Sequence, residues 1–315
     1  ASVADVSLTK VRPGGLSRSG LDYASLHAIN PKLVYCTLTG YGLEGPDADK
    51  PGFDVASFWS RAGVGQLTVP KGQDPFALRT AFGDHTTSMA AAAGICAALV
   101  KAQRTGEGQL VEASLLRAAL FALGSDFAIQ LFFGRIGSTK SRHEQIQPLM
   151  NFFKTKDDSW ICIVSRQGNV DWAPLCRVME RVDLIEDERY TTGKSRRANA
   201  TELVTLMDEE FGKYTKAEIA ERLDAEAIAW APVQTLAEVA KDPQVKAAGG
   251  ITQVPSASGD GSSFASPASP IRFPGTDDGP KGASPRMGEH SSDVLASIGY
   301  DEEKIKALYE AGVVV

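Results

Sequence analysis

The feature that most constrains the fold is a β-rich run at positions 33 to 39, with the sequence LVYCTLT. A helix pattern from Leu21 to Ala28 precedes it and is ended by Asn30-Pro31, because proline disfavours the helical conformation at the residue before it. Further on, an Ala-rich helix pattern from Ser88 to Gln103 leads into a second short strand, Gln109 to Ala113. This alternation predicts an α/β fold built on βαβ units.

The composition is that of a folded globular protein. Of 315 residues, 43% are hydrophobic and 23% are charged, as is usual for globular domains. The length predicts either one large core or two unequal domains. The formal net charge of -6 provides no basic field to attract phosphate backbones, so we expect no nucleic-acid binding.

The sequence shows no segment that directs the chain to or across a membrane. The apolar run from Met89 to Val100 falls short of the roughly 20 residues that cross a bilayer. The opening ASVADVSLTK lacks the charged and apolar regions of a signal peptide. Four cysteines without a CxxC pair favour a reducing compartment. We therefore expect no membrane span and a cytoplasmic or mitochondrial location.

Changes in composition divide the chain into four segments. Residues 1–134 carry strand and helix patterns with glycine-rich loops, and residues 135–147 are polar and basic, as expected of a linker. Residues 148–236 have the mixed pattern of a compact, smaller α+β domain. Residues 237–315 begin as a return linker rich in Gly, Ser and Pro and end in a helix pattern.

Asp84 is the first candidate for chemistry. It lies between a glycine-containing loop and the start of the Ala-rich helix, where backbone N–H groups favour an ionised carboxylate. Such a carboxylate can attack a thioester. The alternative is structural, since an Asp in this position is often only an N-cap. The neighbouring His85 has no Ser or Cys arranged with it as in a catalytic triad.

Other patterns exclude several classes of site. The four histidines share no metal-ligand spacing, so we expect no metal site. The glycine-rich stretches match neither the Rossmann GxGxxG nor the P-loop pattern, which disfavours a nucleotide-triphosphate enzyme. Lys10, Arg12 and Arg18 surround Pro13-Gly14-Gly15 and either grip phosphates or form a solvated face.

Several strings occur in an order that is itself informative. They are VRPGGL from Val11, NPKLVY from Asn30, TGYG from Thr39, PGFD from Pro51, GD from Gly83, TGEGQ from Thr105, SPIRF from Ser269 and GEH from Gly288. Over nearly its whole length the chain resembles the class III coenzyme A transferase family, which includes formyl-CoA transferase, carnitine CoA transferases and α-methylacyl-CoA racemase.

The resemblance implies a Rossmann-like large domain built from both chain ends, so that residues 237–315 return to it, with the smaller α+β domain between linkers. It also implies two subunits interlocked as a homodimer. The family's essential aspartate matches Asp84, which takes the acyl group from a donor thioester as an anhydride and then carries CoA as an aspartyl-CoA thioester. The partners are then an acyl-CoA and a small carboxylic acid, with coenzyme A a thioester substrate and no prosthetic group.

The same resemblance assigns the residues that bind coenzyme A. Arg18 matches the basic residue that contacts CoA phosphate groups, and Lys10 and Val11 match positions that line the adenosine site. Gly40 and Tyr41 belong to a loop that borders the thioester.

Phe53 and Asp54 border the thioester as well. In the racemase branch a histidine stands at the position of Phe53 and exchanges protons with the essential aspartate. Because a phenyl ring cannot exchange protons, we favour CoA transfer to or from a larger acid, whether 2-hydroxy, branched or aromatic. Two alternatives stay open, a 2-methylacyl-CoA racemase and a non-catalytic dimeric relative.

Two features depart from the family pattern. The family has additional strands and helices ahead of the position of Ala1, which contribute to the CoA pocket, so we interpret the chain as N-terminally incomplete. The glycine-rich loop that closes over the active site in formyl-CoA transferase has no counterpart in residues 135–147. This second departure argues against formyl and oxalate as substrates.

Overall fold

A computed structural model describes residues 1–166, 168–277 and 279–315. These residues form two compact units, each of which is described by itself. Ala1–Asn151 and Ser165–Glu210 make up the first, and Phe152–Val164 and Phe211–Val315 make up the second. This division reflects spatial proximity, and the predicted domain limits at 134, 147 and 236 stay predictions.

The elements have the following bounds. The strands are β1 (Val6–Thr9), β2 (Val34–Thr39), β3 (Leu110–Ser114), β4 (Asn151–Lys154), β5 (Trp160–Ile163), β6 (Trp230–Val233), β7 (Ile251–Pro255) and β8 (Ser263–Pro267). The α-helices are α1 (Pro13–Arg18), α2 (Tyr23–Ile29), α3 (Val64–Leu67), α4 (Phe82–Thr105), α5 (Leu115–Ala122), α6 (Gly124–Phe133), α7 (Trp172–Val178), α8 (Gly193–Ala198), α9 (Ala200–Phe211), α10 (Lys216–Ala225), α11 (Leu236–Val239), α12 (Pro243–Ala247), α13 (Ser291–Ser297) and α14 (Glu302–Glu310). A π-helix spans Asp54–Arg61, and 3-10 turns span Arg142–Glu144 and Val182–Leu184.

A parallel sheet in the order β1-β2-β3 lies at the centre of the first unit. Thr9 of β1 lies opposite Thr37 of β2, and Thr39 of β2 lies opposite Ser114 of β3. Helices α1 and α2 connect β1 to β2, and α4 lies in the connection from β2 to β3, since parallel strands need crossover connections. The predicted α/β alternation is therefore confirmed as a mixed α/β architecture.

Helix α4 packs closely on this sheet. Ala91 of α4 shares a buried cluster with Cys36 of β2 and Ala113 of β3. A Cβ atom at Gly94 would lie 2.8 Å from Cγ1 of Val111, so the helix needs a glycine at this contact. The small residues of the Ala-rich segment thus allow helix and sheet to approach. Burial in this core raises the pKa of the Cys36 thiol, as for an unreactive structural cysteine.

Two helices differ from their predicted limits. Helix α4 begins at Phe82 instead of Ser88, because the ring of Phe82 packs edge-to-face against Phe58, with centroids 6.1 Å apart. The apolar pattern of residues 115–133 is typical of a single helix, but the segment forms α5 and α6, which are bent by 83°. The bend lies at Gly124, whose φ of 20° interrupts the helical conformation.

Across the described ranges, no helix taken singly is long and apolar enough to cross a membrane. The pair α5 and α6 meets those requirements only when the two are counted together.

The second unit contains a sheet in the order β4-β5-β6 and the hairpin β7-β8. Strands β5 and β6 are antiparallel, with Ile161 opposite Pro232. The ring of Phe153 on β4 packs against Phe211, with centroids 4.9 Å apart, and Ile219 of α10 is buried as well. Apolar residues from strands and helices therefore share one core in this unit.

A main-chain contact at Gly108 holds the entry to β3 against the start of β2. A Cβ atom at Gly108 would lie 2.1 Å from the carbonyl oxygen of Leu33. The N–H of Gly108 donates a hydrogen bond to the carbonyl oxygen of Pro31 at 2.8 Å. No side chain fits between these two segments.

We expect Gly108→Ala to lower the free energy of unfolding by at least about 3 kcal/mol, because the new methyl group meets a backbone carbonyl that the sheet fixes in place. Denaturant titration followed by circular dichroism measures the change. Gly137→Ala is the matched control, since a Cβ atom there meets nothing within 4 Å, and its effect should stay below about 0.5 kcal/mol. Equal stabilities of the two variants would contradict the contact at Gly108.

Candidate active site

A cavity of about 700 Å³ opens at the carboxyl ends of the parallel strands of the first unit. Lys10 and Val11 follow β1, Gly40 follows β2 and Leu115 follows β3, and all four line it. Asp84 lines it from the first turn of α4. Open parallel sheets bind ligands outside the carboxyl ends of their strands. The cavity therefore occupies the position where this type of sheet forms sites.

The Asp84 side chain is exposed to this cavity. Ala81 is the N-cap residue of α4, so the alternative that Asp84 is only an N-cap is wrong. The Asp84 carboxylate makes no hydrogen bond or ion pair within the described part of the chain. It lies at the N-terminal end of a 24-residue helix, where negative charge is favourable. A ligand in the cavity can reach this carboxylate directly.

Gly83 and Asp54 fix the start of α4 behind Asp84. The N–H of Gly83 donates a hydrogen bond to Oδ2 of Asp54 at 3.1 Å. A Cβ atom at Gly83 would lie 2.4 Å from Cγ of Phe58 and 2.5 Å from Oδ1 of Asp54. Asp54 does not line the Asp84 cavity. Its carboxylate contacts the residue next to Asp84 and thereby positions the helix terminus.

Gly40 and Gly52 bring two loops into main-chain contact at the cavity wall. A Cβ atom on either residue would lie 2.6 Å from the Cα atom of the other and 2.8 Å from Oγ of Ser57. The N–H of Leu116 donates a hydrogen bond to the carbonyl oxygen of Gly40 at 3.0 Å, so α5 is tied to the same point. The sequence indicated Gly40 as a site residue but gave no role to Gly52 or Ser57.

The loop after β2 is held by hydrogen bonds to β2 itself and to β3. The N–H of Gly42 donates to Oγ1 of Thr39 at 2.9 Å, and the N–H of Leu43 donates to Oε1 of Glu112 on β3 at 3.0 Å. Tyr41 is half-buried in this loop and does not line the Asp84 cavity. Of the two residues predicted to border the thioester from this loop, Gly40 lines the cavity and Tyr41 does not.

Phe53 is the large apolar side chain most open to solvent at this site. It lines the cavity directly before the π-helix and is 74% exposed. His85 and Ser88 line the cavity from α4, on the same helix as Asp84. The side chains of Phe53 and Leu115 make part of the cavity wall apolar.

Basic side chains line the cavity beside Asp84. Lys10, Arg12 and Lys50 all contribute to its wall. The Arg12 Nη1 donates a hydrogen bond to the carbonyl oxygen of Asp49 at 3.0 Å, which anchors the loop that carries Lys50. Lys50 was not among the site residues predicted from the sequence, although its place in the KPGFD segment, three residues before Phe53, is a usable signal. Such cations favour an anionic ligand.

Arg18 lines a smaller adjoining cavity of about 290 Å³ and not the one around Asp84. The two cavities share Val11 and Arg12. The Asp49 carboxylate lines the smaller one and accepts a hydrogen bond from the Gly14 N–H at 3.0 Å. Of the predicted residues, Lys10 and Val11 therefore line the cavity around Asp84, whereas Arg18 lines the adjoining one.

The described residues contain no group of three or more His, Cys, Asp or Glu side chains placed to hold a metal ion.

Comparisons with known proteins relate this geometry to an enzyme family. The family model described as CoA-transferase family III matches residues 1–291. The chain is 31% identical over 313 residues to (R)-2-hydroxy-4-methylpentanoate CoA-transferase from Clostridioides difficile, covering 99% of this chain and 77% of that protein. It is 32% identical over 304 residues to succinate–glutarate CoA-transferase from Agrobacterium fabrum, covering 94% of this chain and 72% of that protein.

A solved structure leads to the same conclusion. The crystal structure of a CAIB/BAIF family protein from Brucella suis superposes with a TM-score of 0.81 at 28% sequence identity, covering 94% of this chain and 76% of that one. Sequence and structure therefore agree, and the chain belongs to CoA-transferase family III.

Proposed function

We propose that this chain transfers coenzyme A between an acyl-CoA and a free carboxylic acid, with Asp84 as the residue that carries the acyl group. The observation that carries the proposal is the exposed, unpaired Asp84 carboxylate, which lines a 700 Å³ cavity at the carboxyl ends of the sheet. Basic and apolar side chains line the same cavity, as binding of a thioester of the negatively charged coenzyme A requires.

The proposed exchange proceeds in balanced steps. An oxygen of the Asp84 carboxylate attacks the donor thioester carbonyl, the carbon–sulfur bond breaks, and CoA leaves as a thiolate. The thiolate attacks the aspartyl carbonyl of the resulting anhydride and releases the donor acid, so that an aspartyl-CoA thioester remains. The acceptor carboxylate then attacks the carbonyl of this thioester, the carbon–sulfur bond breaks, and a second anhydride forms as the thiolate leaves. The thiolate attacks the acceptor carbonyl of that anhydride, which yields the new acyl-CoA and releases the Asp84 carboxylate.

The surroundings of Asp84 support these steps in two ways. The hydrogen bond from the Gly83 N–H to Asp54 holds the first turn of α4, so the carboxylate is positioned before a ligand arrives. Lys10, Arg12 and Lys50 supply positive charge for CoA phosphates or for the incoming acid. We propose Lys10, Val11 and Arg18 as part of the coenzyme A site and Gly40 and Phe53 as residues at the thioester, with Asp54 and Tyr41 supporting them from outside the cavity lining.

The side chain of Phe53 supports transfer over racemisation. Racemisation at an α-carbon needs an acid and a base on opposite sides of the substrate. Phe53 offers neither, although its exposed ring lines the cavity close to where such a group would act. The apolar walls formed by Val11, Leu38, Phe53 and Leu115 favour a branched or aromatic acid, 2-hydroxylated or not, as the acyl partner.

An interlocked homodimer is part of the same proposal. Phe121 of α5 and Leu131, Phe132 and Phe133 of α6 are exposed. Contiguous apolar side chains of this size become buried in stable subunit interfaces. This surface supports contact with a second copy of the chain. The parallel sheet β1-β2-β3 supports a Rossmann-like large domain, to which residues 237–315 would return.

We expect Asp84→Asn and Asp84→Ala to abolish exchange of CoA between acids, with activity below about one thousandth of wild type, because the nucleophile is lost. Both variants should keep the wild-type circular dichroism spectrum, since the Asp84 side chain makes no contact that the fold needs. Conversion of labelled acid to acyl-CoA measures the rate. Mass spectrometry of each variant excludes contamination by wild-type protein. Activity above a few per cent in either uncontaminated variant would refute the role of Asp84.

For Arg18→Ala we expect KM for the acyl-CoA to rise by about tenfold or more with little change in kcat, because phosphate contacts strengthen ground state and transition state alike. Steady-state kinetics at varied acyl-CoA concentration measures both constants. Arg104→Ala removes the same charge from the exposed last turn of α4 and should leave both unchanged. A fall in kcat at unchanged KM would argue against a phosphate contact.

A further inference from the structure

A second cavity of about 340 Å³ lies in the first unit and has no lining residue in common with the cavity around Asp84. Its polar wall contains the side chains of Arg166, Arg196 and Arg197 together with Ser165. Three guanidinium groups around one small cavity concentrate positive charge in a chain whose net charge is -6.

Arg196 is a buried cation without an acidic partner. It is 2% exposed, and its guanidinium donates hydrogen bonds to the carbonyl oxygens of Tyr190 at 2.7 Å and Gly168 at 3.0 Å and to Oδ1 of Asn169 at 2.7 Å. These acceptors are neutral, and no carboxylate pairs with Arg196 anywhere in the described ranges. Burial lowers the pKa of this guanidinium. A buried charge of this kind is costly until an opposite charge approaches it.

The guanidinium of Arg196 is also fixed in position. It lies over the ring of Trp172, 5.3 Å from the centroid, and Trp172 is itself buried. With three hydrogen bonds and a ring contact, the side chain has no freedom to leave the cavity wall. Its Nε–H and one Nη1–H have no acceptor in the described structure, so donors remain for a ligand.

The other two arginines differ in how much charge they leave for a ligand. Arg166 donates to the buried Asp171 carboxylate through Nε at 2.8 Å and through Nη2, so its charge is matched. Burial alone would raise the pKa of Asp171, but the hydrogen bonds and charge of Arg166 outweigh it and hold that pKa below its usual value. Arg197 is exposed and donates Nε to the carbonyl oxygen of Ile146 at 3.2 Å, with no acid paired to it among the described residues.

Part of the cavity wall is apolar, with Ile146 and the buried Leu149 among its lining residues. A phosphate or sulfate ion would leave this wall without a partner. We propose that the cavity binds a small carboxylate with a short branched apolar tail, whose carboxylate meets Arg196 and Arg197 and whose tail packs on Ile146 and Leu149. The site stands apart from Asp84 and does not depend on the proposed CoA transfer.

Isothermal titration calorimetry of the full chain with sodium 3-methylbutanoate tests the site. We expect saturable binding to the wild type and at least about tenfold weaker binding to Arg197→Ala, because a charge-assisted contact is lost. Arg197 is exposed, so its loss leaves the fold intact. Arg196→Gln should weaken binding further, if its circular dichroism spectrum matches the wild type.

Two controls make the test specific. Lys194→Ala removes the same charge from α8 but from a residue outside the cavity lining, and it should bind like the wild type. The neutral 3-methylbutanamide, which has the shape of the acid without its charge, should not bind. Equal binding by the wild type and Arg197→Ala, equal binding of amide and acid, or no saturable binding up to roughly 50 mM acid would each overturn the proposal.

Discussion

Close packing at three glycines determines the geometry of the proposed active site. Gly40 and Gly52 touch through their Cα atoms, and Gly83 lies against Phe58 and Asp54 with no room for a side chain. The first contact joins the loop after β2 to the segment before the π-helix, and the second fixes where α4 begins. Because packed interiors have no room for an added methyl group, a larger residue at any of these glycines would displace the main chain that positions Asp84. The packing of Gly83 on Phe58 and its hydrogen bond to the Asp54 carboxylate hold the start of the helix, so Asp84 is positioned without a side-chain partner of its own.

Helices and strands could be predicted from the sequence where the local residue pattern and the tertiary packing favour the same structure. The strand at 33–39 and the Ala-rich helix have strong patterns, and both are present, as β2 and α4. The first turn of α4 was missed because the Phe82-Gly83 pair has low helix propensity, and only contact with Phe58 makes it helical. Asp84 was a candidate from its position ahead of the Ala-rich helix and Phe53 from the resemblance, whereas the contact of Gly40 with Gly52 joins residues that no local pattern connects. The arginine cavity was not predicted either, since an Arg within a polar helix reads as exposed and Arg196 is buried.

The distribution of charge separates local recognition from the overall field. The chain is acidic, with a formal net charge of -6, yet Lys10, Arg12 and Lys50 line the Asp84 cavity and two arginines without acidic partners line the second one. A net negative field disfavours long polyanions, whereas short-range donors in a cavity still bind a single carboxylate or a compact phosphate group. The capacity to bind small anions therefore depends on where the basic residues lie and not on how many there are.

We propose that Asp84 becomes covalently acylated during CoA exchange. Incubation of the protein with an acyl-CoA, trapping with hydroxylamine and mass spectrometry of the peptides test this most directly, because hydroxylamine converts an aspartyl thioester or anhydride into a stable hydroxamate. We expect a hydroxamate on Asp84 that forms only when the acyl-CoA is present. CoA exchange with an unmodified Asp84, or a hydroxamate on another carboxylate such as Asp54, would contradict this role of Asp84.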